Sequence, residues 1–184
     1  MTATAPKVVA RGTLVVLREK RIEDASQDYE WRKDSELAAY DAAHPLTMSL
    51  RAYVATVADE IETPSLHRRS YSIDTIDDGR HIGNVMYYSY DRNLRETEIG
   101  VTIGDRDYWS QGYGSDAVRA LLEYLFDELR VNRVYLHTLT WNDRARQAFI
   151  RAGFKATGEM HRGGYDFVEM EIVREQFLAQ RAGD

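Results

Sequence analysis

The chain of 184 residues contains no cysteine, which removes disulfides, thiolate catalysis and thiolate-ligated zinc or iron–sulfur centres from its chemistry. No stretch approaches 18 uninterrupted apolar residues, and the opening "MTATAPKVVARGT" lacks the apolar run of a secretory signal. A surplus of positive charge is missing too. Thirty acidic residues against 24 basic ones give a net charge of −6, which offers no general attraction to nucleic-acid backbones or anionic lipid. The one local basic run singled out, His67–Arg68–Arg69, reads as a solvated loop. The expectation from these absences is a cytoplasmic chain without a metal site, with neither nucleic acid nor membrane as partner.

What is present supports one substantial core, with 43% of residues in the hydrophobic set. A single α/β domain (α+β in stricter usage) is expected over residues 12–175, between a flexible tail at 1–11 and a polar tail at 176–184. "GTLVVLRE" (Gly12–Glu19) has strand composition. Spacing predicts a helix from Glu23 to Ala39, which Pro45 prevents from continuing, and a second helix over Leu50–Ile61 capped by Ser49. "SYSIDTI" and "RHIGNVMYYSY" form a hairpin about Asp77–Asp78–Gly79, and "ETEIGVTIG" (Glu96–Gly104) adds a third strand to the run. A helix follows from Gly114 to Arg130, then the strand "RVYLHTL" and a short helix with Asn142 or Asp143 near its cap and Gly153 at its exit. A last hairpin turns at Arg162–Gly163–Gly164.

The stretch "DRDYWSQGYGSDA" (Asp105–Ala117) is the most informative local pattern. Gly112-x-Gly114-x-x-Ala117 has the letters of a dinucleotide fingerprint, but that motif needs a strand running straight into the turn and an acid about 20 residues later. Seven residues separate Gly104 from Gly112, and Asn132–His137 offers arginine and histidine in place of the acid. A nucleoside-triphosphate loop is excluded because no Lys-Ser or Lys-Thr pair follows the glycines. Two readings remain: a phosphate cradle made by the N–H groups of Gln111–Ser115 and the positive end of the following helix, or a turn that only caps that helix.

That segment together with "HTLTWNDRARQAFIRAGF" resembles the GNAT acetyltransferase superfamily, especially enzymes that acetylate ribosomal-protein N termini or polyamines. The resemblance spans about Arg80–Gly158 by motif. It implies the acyl-CoA N-acyltransferase fold, with a mixed sheet splayed around its fourth and fifth strands and flanked by helices, and acetyl-CoA in the cleft with its pyrophosphate at Gln111–Ser115. Carried onto this sequence, the cofactor contacts are Val101 and Ile103 through their backbones, Arg106, Gln111, Gly112, Tyr113, Gly114, Ser115 and Asn142. Many relatives place a tyrosine seven residues after the asparagine to protonate the departing thiolate. Here Phe149 stands there and donates no proton.

The implied reaction is direct attack of an uncharged primary amine, from a protein N terminus or a small polyamine-like molecule, on the thioester. Glu98 occupies the position from which similar enzymes supply the base, and His137 is a second candidate in a water path. Strand alternation places Tyr88 and Tyr90 on one face and Tyr87 on the other. Tyr40, His44 and Tyr88 are the candidate acceptor-side residues, Trp31 reads as packing, and Asp34, Glu36 and Asp41 are acids able to attract a cationic amine. A homodimer is compatible with the resemblance. A different class of reading keeps the scaffold as a non-catalytic CoA-binding or interaction module.

Overall fold

Eight segments become strands, all but the seventh carrying Val or Ile: β1 (Val8–Arg11), β2 (Val15–Glu19), β3 (Arg69–Thr75), β4 (His81–Asp91), β5 (Glu96–Ile103), β6 (Arg133–Leu139), β7 (Lys155–Arg162) and β8 (Tyr165–Val173). The computed structural model describes residues 6–183. All eight strands join one sheet in the order β1-β2-β3-β4-β5-β6-β8-β7. Every neighbouring pair is antiparallel except β5 and β6, which run parallel and therefore need a crossover. Helix α4 (Tyr113–Glu123), continued by a π-helical turn at Tyr124–Glu128, supplies it. Its apolar stripe, Ala117, Val118, Leu121 and Leu122, is fully buried with Leu125, Phe126, Ile73, Val85 and Ile99. Each Val, Leu, Ile or Phe side chain among them contributes about 1.5–3 kcal/mol.

The sheet opens where the crossover begins. Pairing between β5 and β6 covers only Glu96–Glu98 against Arg133–Tyr135, whereas β5 stays paired to β4 as far as Ile103. This is the splay expected around the fourth and fifth strands of the sequence, numbered fifth and sixth here because β1 precedes them.

The remaining helices are α1 (Ala25–Lys33), α2 (Ser35–Tyr40), α3 (Leu50–Glu62), α5 (Asp143–Arg151) and α6 (Arg174–Gly183). Several expectations need correction. The tail drawn at 1–11 contains β1, whose Val8 and Ala10 pair with Arg18 and Leu17; residues 1–5 lie outside the described residues. The tail drawn at 176–184 is mostly α6, tied down by Phe177, which stacks on Phe126 at 4.9 Å. The helix expected from Glu23 to Ala39 breaks at Asp34, whose extended backbone and side chain cap a new helix by accepting from Glu36 N and Leu37 N at 3.0 Å. Tyr90 does not share a face with Tyr88. Ser89, at φ +53°, forms a bulge that sets residues 89 and 90 against Thr97 alone, and Tyr90 turns onto Tyr87 at 6.3 Å.

Buried charges fasten the parts that carry the cleft. Asp116, in the first turn of α4, accepts from the N–H groups of Thr13, Leu14 and Val15 at 2.8–3.1 Å, locking the β1–β2 turn to the helix N-terminus where an acid is favoured. Arg18 bridges Asp24 and Asp74, and Asp28 joins Lys20, His81 and Asn84 beneath α1. Among the described residues, no helix is long and apolar enough to cross a membrane.

Candidate active site

Strand alternation decides which backbone groups face the opening. Gly104 N–H reaches Ile82 O at 2.9 Å, and Gly83 stands opposite Ile103. Thr102 and Gly104 therefore bond toward β4, while Val101 and Ile103 direct their backbone groups to the opposite side, where β6 has diverged. Ile103 O already accepts from the Trp109 indole at 2.7 Å. The N–H and C=O of Val101 and the N–H of Ile103 are thus left to meet a ligand's amides. Both residues line the cleft between the end of β5, the glycine turn and α5, together with Ser110, Gly112, Gly114, Ser115 and Asn142.

At the glycine turn, Ser110 (φ +59°) and Gly112 (φ +93°) adopt left-handed conformations. A Cβ on Gly112 would meet only Leu14 Cδ1, at 3.6 Å, so glycine answers the dihedral angle there and not a shortage of space. Gly112 caps α4 with no side-chain hydrogen bond, and the N–H groups of residues 110–115 find no backbone acceptor among the described residues. This concave row of donors at the positive end of a helix suits a phosphate. Gln111 turns its amide back onto Asp107 O, leaving only its backbone for such a role. Tyr113 packs edge-on against Tyr108 at 4.9 Å.

Arg106 does not fit the expected set. Its guanidinium is held by Asp34 at 2.9 Å and Glu36 at 2.7 Å and lies 5.5 Å from the ring centre of Trp109, so it sits behind that ring and is not itself among the residues lining the cleft. The cations that do line it are Arg144 and Arg151, both on α5, and neither stood out in the sequence. Arg144 lies 3.4 Å from the Trp109 ring centre and 4.6 Å from that of Tyr40. Burial pushes its pKa down, and no carboxylate bridges to it among the described residues.

Asn142 is buried and uses its side-chain oxygen to accept from Ala145 N at 3.2 Å, so the spacing that marks the motif also starts α5. Its side chain lies where the cofactor cleft meets a second cavity lined by Tyr40, His44, Tyr88, Glu98, His137 and Phe149, among others. In that cavity Glu98 Oε1 lies 2.8 Å from His137 Nδ1, and His137 Nε2 lies 3.9 Å from Glu169 Oε2. Tyr88 stands directly across the ladder from Glu98. Burial and then the neighbouring Glu98 charge push its hydroxyl pKa well up, keeping it protonated. Phe149 is buried against Phe154 at 5.9 Å. Tyr40 packs against Trp109 and Trp141 at 5.7 and 5.3 Å; His44 is exposed at the rim. Trp31 covers Gly104, where any Cβ would collide with its ring, and lies 5.1 Å from His81. It packs, as expected.

Comparison with known proteins agrees with this geometry. The Acetyltransferase (GNAT) domain family matches residues 15–155. An "Uncharacterized N-acetyltransferase p20" of Bacillus licheniformis is 28% identical over 122 residues, covering 65% of this chain and 67% of its own length. A "Putative ribosomal N-acetyltransferase YdaF" of Bacillus subtilis (strain 168) is 32% identical over 110 residues, covering 56% of this chain and 60% of its own length. Among solved structures, a spermidine N-acetyltransferase from Vibrio cholerae in complex with CoA and spermine shares the fold at a TM-score of 0.79 and 19% identity, over 89% of this chain and 98% of that one. The chain belongs to the GNAT acetyltransferase family and is an acetyl-CoA-dependent N-acetyltransferase.

Proposed function

We propose that the protein acetylates a primary amine that enters through the Glu98 cavity, with acetyl-CoA in the β5–β6 cleft. The observation that carries this reading is the meeting of two surfaces at Asn142: a row of free backbone donors on one side, and a carboxylate–imidazole pair on the other. Bound acetyl-CoA supplies a thioester carbonyl that the amine attacks directly, forming the C–N bond as the C–S bond breaks. Val101 and Ile103 hold the amide-bearing arm through their backbone groups. The N–H groups of Gln111, Gly112, Tyr113, Gly114 and Ser115 hold the pyrophosphate, and Arg144 and Arg151 add the positive charge that Arg106 spends on α2.

Glu98 accepts the proton an ammonium must lose before it is nucleophilic. His137, hydrogen-bonded to it, fixes the carboxylate's orientation and leads toward Glu169. Phe149 lines the cavity beside the reacting atoms without a proton to give, so water reaching the cavity protonates the departing thiolate. Tyr40 and Tyr88 wall the amine's path, and His44 stands at its rim.

Calorimetric titration with acetyl-CoA, followed by a thiol-release assay over peptides with free N termini, polyamines and aminoglycosides, tests the reading. Micromolar binding and turnover of at least one amine are expected. No binding at millimolar concentration overturns it, and binding without turnover of any amine favours the non-catalytic CoA-binding module, a reading kept by Phe149.

A further inference from the structure

The acids near the acceptor path are not equivalent. Asp34 and Glu36 are both consumed by Arg106, and Glu98 is engaged by His137. The carboxylate of Asp41, just beyond α2, has neither an ion-pair nor a hydrogen-bond partner among the described residues. Yet it lines the cofactor cleft, the Glu98 cavity and an outer cavity that runs on toward Tyr53 and Glu60. Asp41 and Arg32 are both exposed side chains. They do not close into a bridge. The Arg32 guanidinium has no ion-pair or hydrogen-bond partner among the described residues and lines both the Glu98 cavity and the outer one.

Two opposite charges that share a cavity without pairing are complementary to a ligand that carries both signs. Resting on the function proposed above, we infer that the acceptor is an amine with an anionic group, carboxylate or phosphate, close to the reacting nitrogen. Asp41 receives the ammonium at the junction with the cofactor cleft, and Arg32 receives the anion. Arg68 and Arg162, also unpaired, line the outer cavity and the Glu98 cavity respectively. Among the described residues, three guanidinium groups without an ion pair thus line these two cavities with two such carboxylates, Asp41 and Glu60. A polycation gains little from such a wall, because each unpaired guanidinium repels it, whereas planar guanidinium groups match carboxylate and phosphate oxygens. Asp41 is a specificity residue here. Glu98 remains the group that takes the proton.

The test uses the full chain with saturating acetyl-CoA and measures thiol release with matched acceptors. L-Lysine, L-phenylalanine and L-methionine are each set beside their decarboxylated amines, glucosamine 6-phosphate beside glucosamine, and spermidine stands as the polycation. At least one anionic member should exceed its partner by about tenfold or more in kcat/KM. A preference confined to the amino acids identifies a carboxylate, and one confined to the sugar identifies a phosphate. Arg32→Gln should bring that ratio to within about threefold through KM, and Asp41→Asn should raise KM for both members alike. Calorimetry should show acetyl-CoA affinity unchanged in Arg32→Gln, whose side chain lies outside the cofactor cleft, and thermal unfolding verifies that both variants are folded. Equal or better use of spermidine or the bare amines, or a ratio untouched by Arg32→Gln, overturns the inference while sparing the acetyltransferase reading. Failure of every acceptor with acetyl-CoA still bound overturns the inference, and the acetyltransferase reading falls with it only when peptides with free N termini and aminoglycosides fail as well.

Discussion

Replacing Gly112 by alanine and, separately, by glutamate divides the glycine turn into two physical contributions. Its φ of +93° suits glycine, and a Cβ there meets only Leu14 Cδ1 at an ordinary 3.6 Å. Gly112→Ala therefore adds backbone strain without a collision, at a cost of about 1–2 kcal/mol. For a chain of this size that lowers Tm by roughly 2–8 °C. Gly112→Glu carries the same strain and adds a negative charge at the cradle. At about 5 Å from one phosphate charge the repulsion is about 0.8 kcal/mol in water and about 3.3 kcal/mol at an effective dielectric constant of about 20. These figures correspond to roughly fourfold and roughly 300-fold weaker binding. Thermal unfolding of the free proteins should place the two variants close together, while calorimetric titration with acetyl-CoA should separate them, less so in 0.5 M salt as screening grows. Equal acetyl-CoA affinities for the two folded variants would refute the placement of the pyrophosphate at this turn.

The two arginines beside the cleft should behave oppositely. Arg106→Ala breaks exposed ion pairs on α2 and should change acetyl-CoA affinity less than about twofold, whereas Arg144→Ala should weaken it by about 10–150-fold through loss of a charge-assisted contact; calorimetry on both variants reads the contrast. Stability should fall toward both ends of the pH range. Burial alone would depress the His81 pKa, but hydrogen bonds to Asp28 and Asp74 raise it. Its contribution is therefore full below its ordinary value of 6.5 and lost as pH rises through the higher folded value. For Asp24, Asp28 and Asp74 burial alone would raise the pKa, but their cationic and hydrogen-bonding partners lower it. Their contribution is present above the ordinary 3.8 and lost as pH falls through the lower folded values. Tm measured against pH should show a plateau between these limits, and an alkaline limb unchanged in His81→Asn would contradict the assignment.

Legibility in the sequence followed the kind of constraint each residue carries. Gly112 and Asn142 were readable because a backbone angle and a helix cap restrict which residues fit. The hairpin at Asp77–Gly79 was readable for the same reason, with Gly79 at φ +68°. The bulge at Ser89 was not, since a serine at positive φ leaves no mark on an alternating strand pattern. Asp34 followed by Ser35 and Glu36 did carry a cap signal, one that the helical spacing on either side obscured. Arg106 was misplaced because its partners lie some 70 residues away in sequence. Arg144, Arg32 and Asp41 gain their meaning only from the cavities that the fold assembles around them.

The most direct test of the account is the pH dependence of acetyl transfer in Glu98→Gln against the unaltered protein, using whichever amine the panel selects. Glutamine keeps the shape of the side chain and removes its ability to accept a proton. The account expects kcat to fall by about 10²–10⁴-fold, the limb of the profile that belongs to the base to disappear, and acetyl-CoA affinity to stay within about twofold. An unchanged rate and profile in a variant that still binds acetyl-CoA would contradict Glu98 as the group that readies the amine for attack.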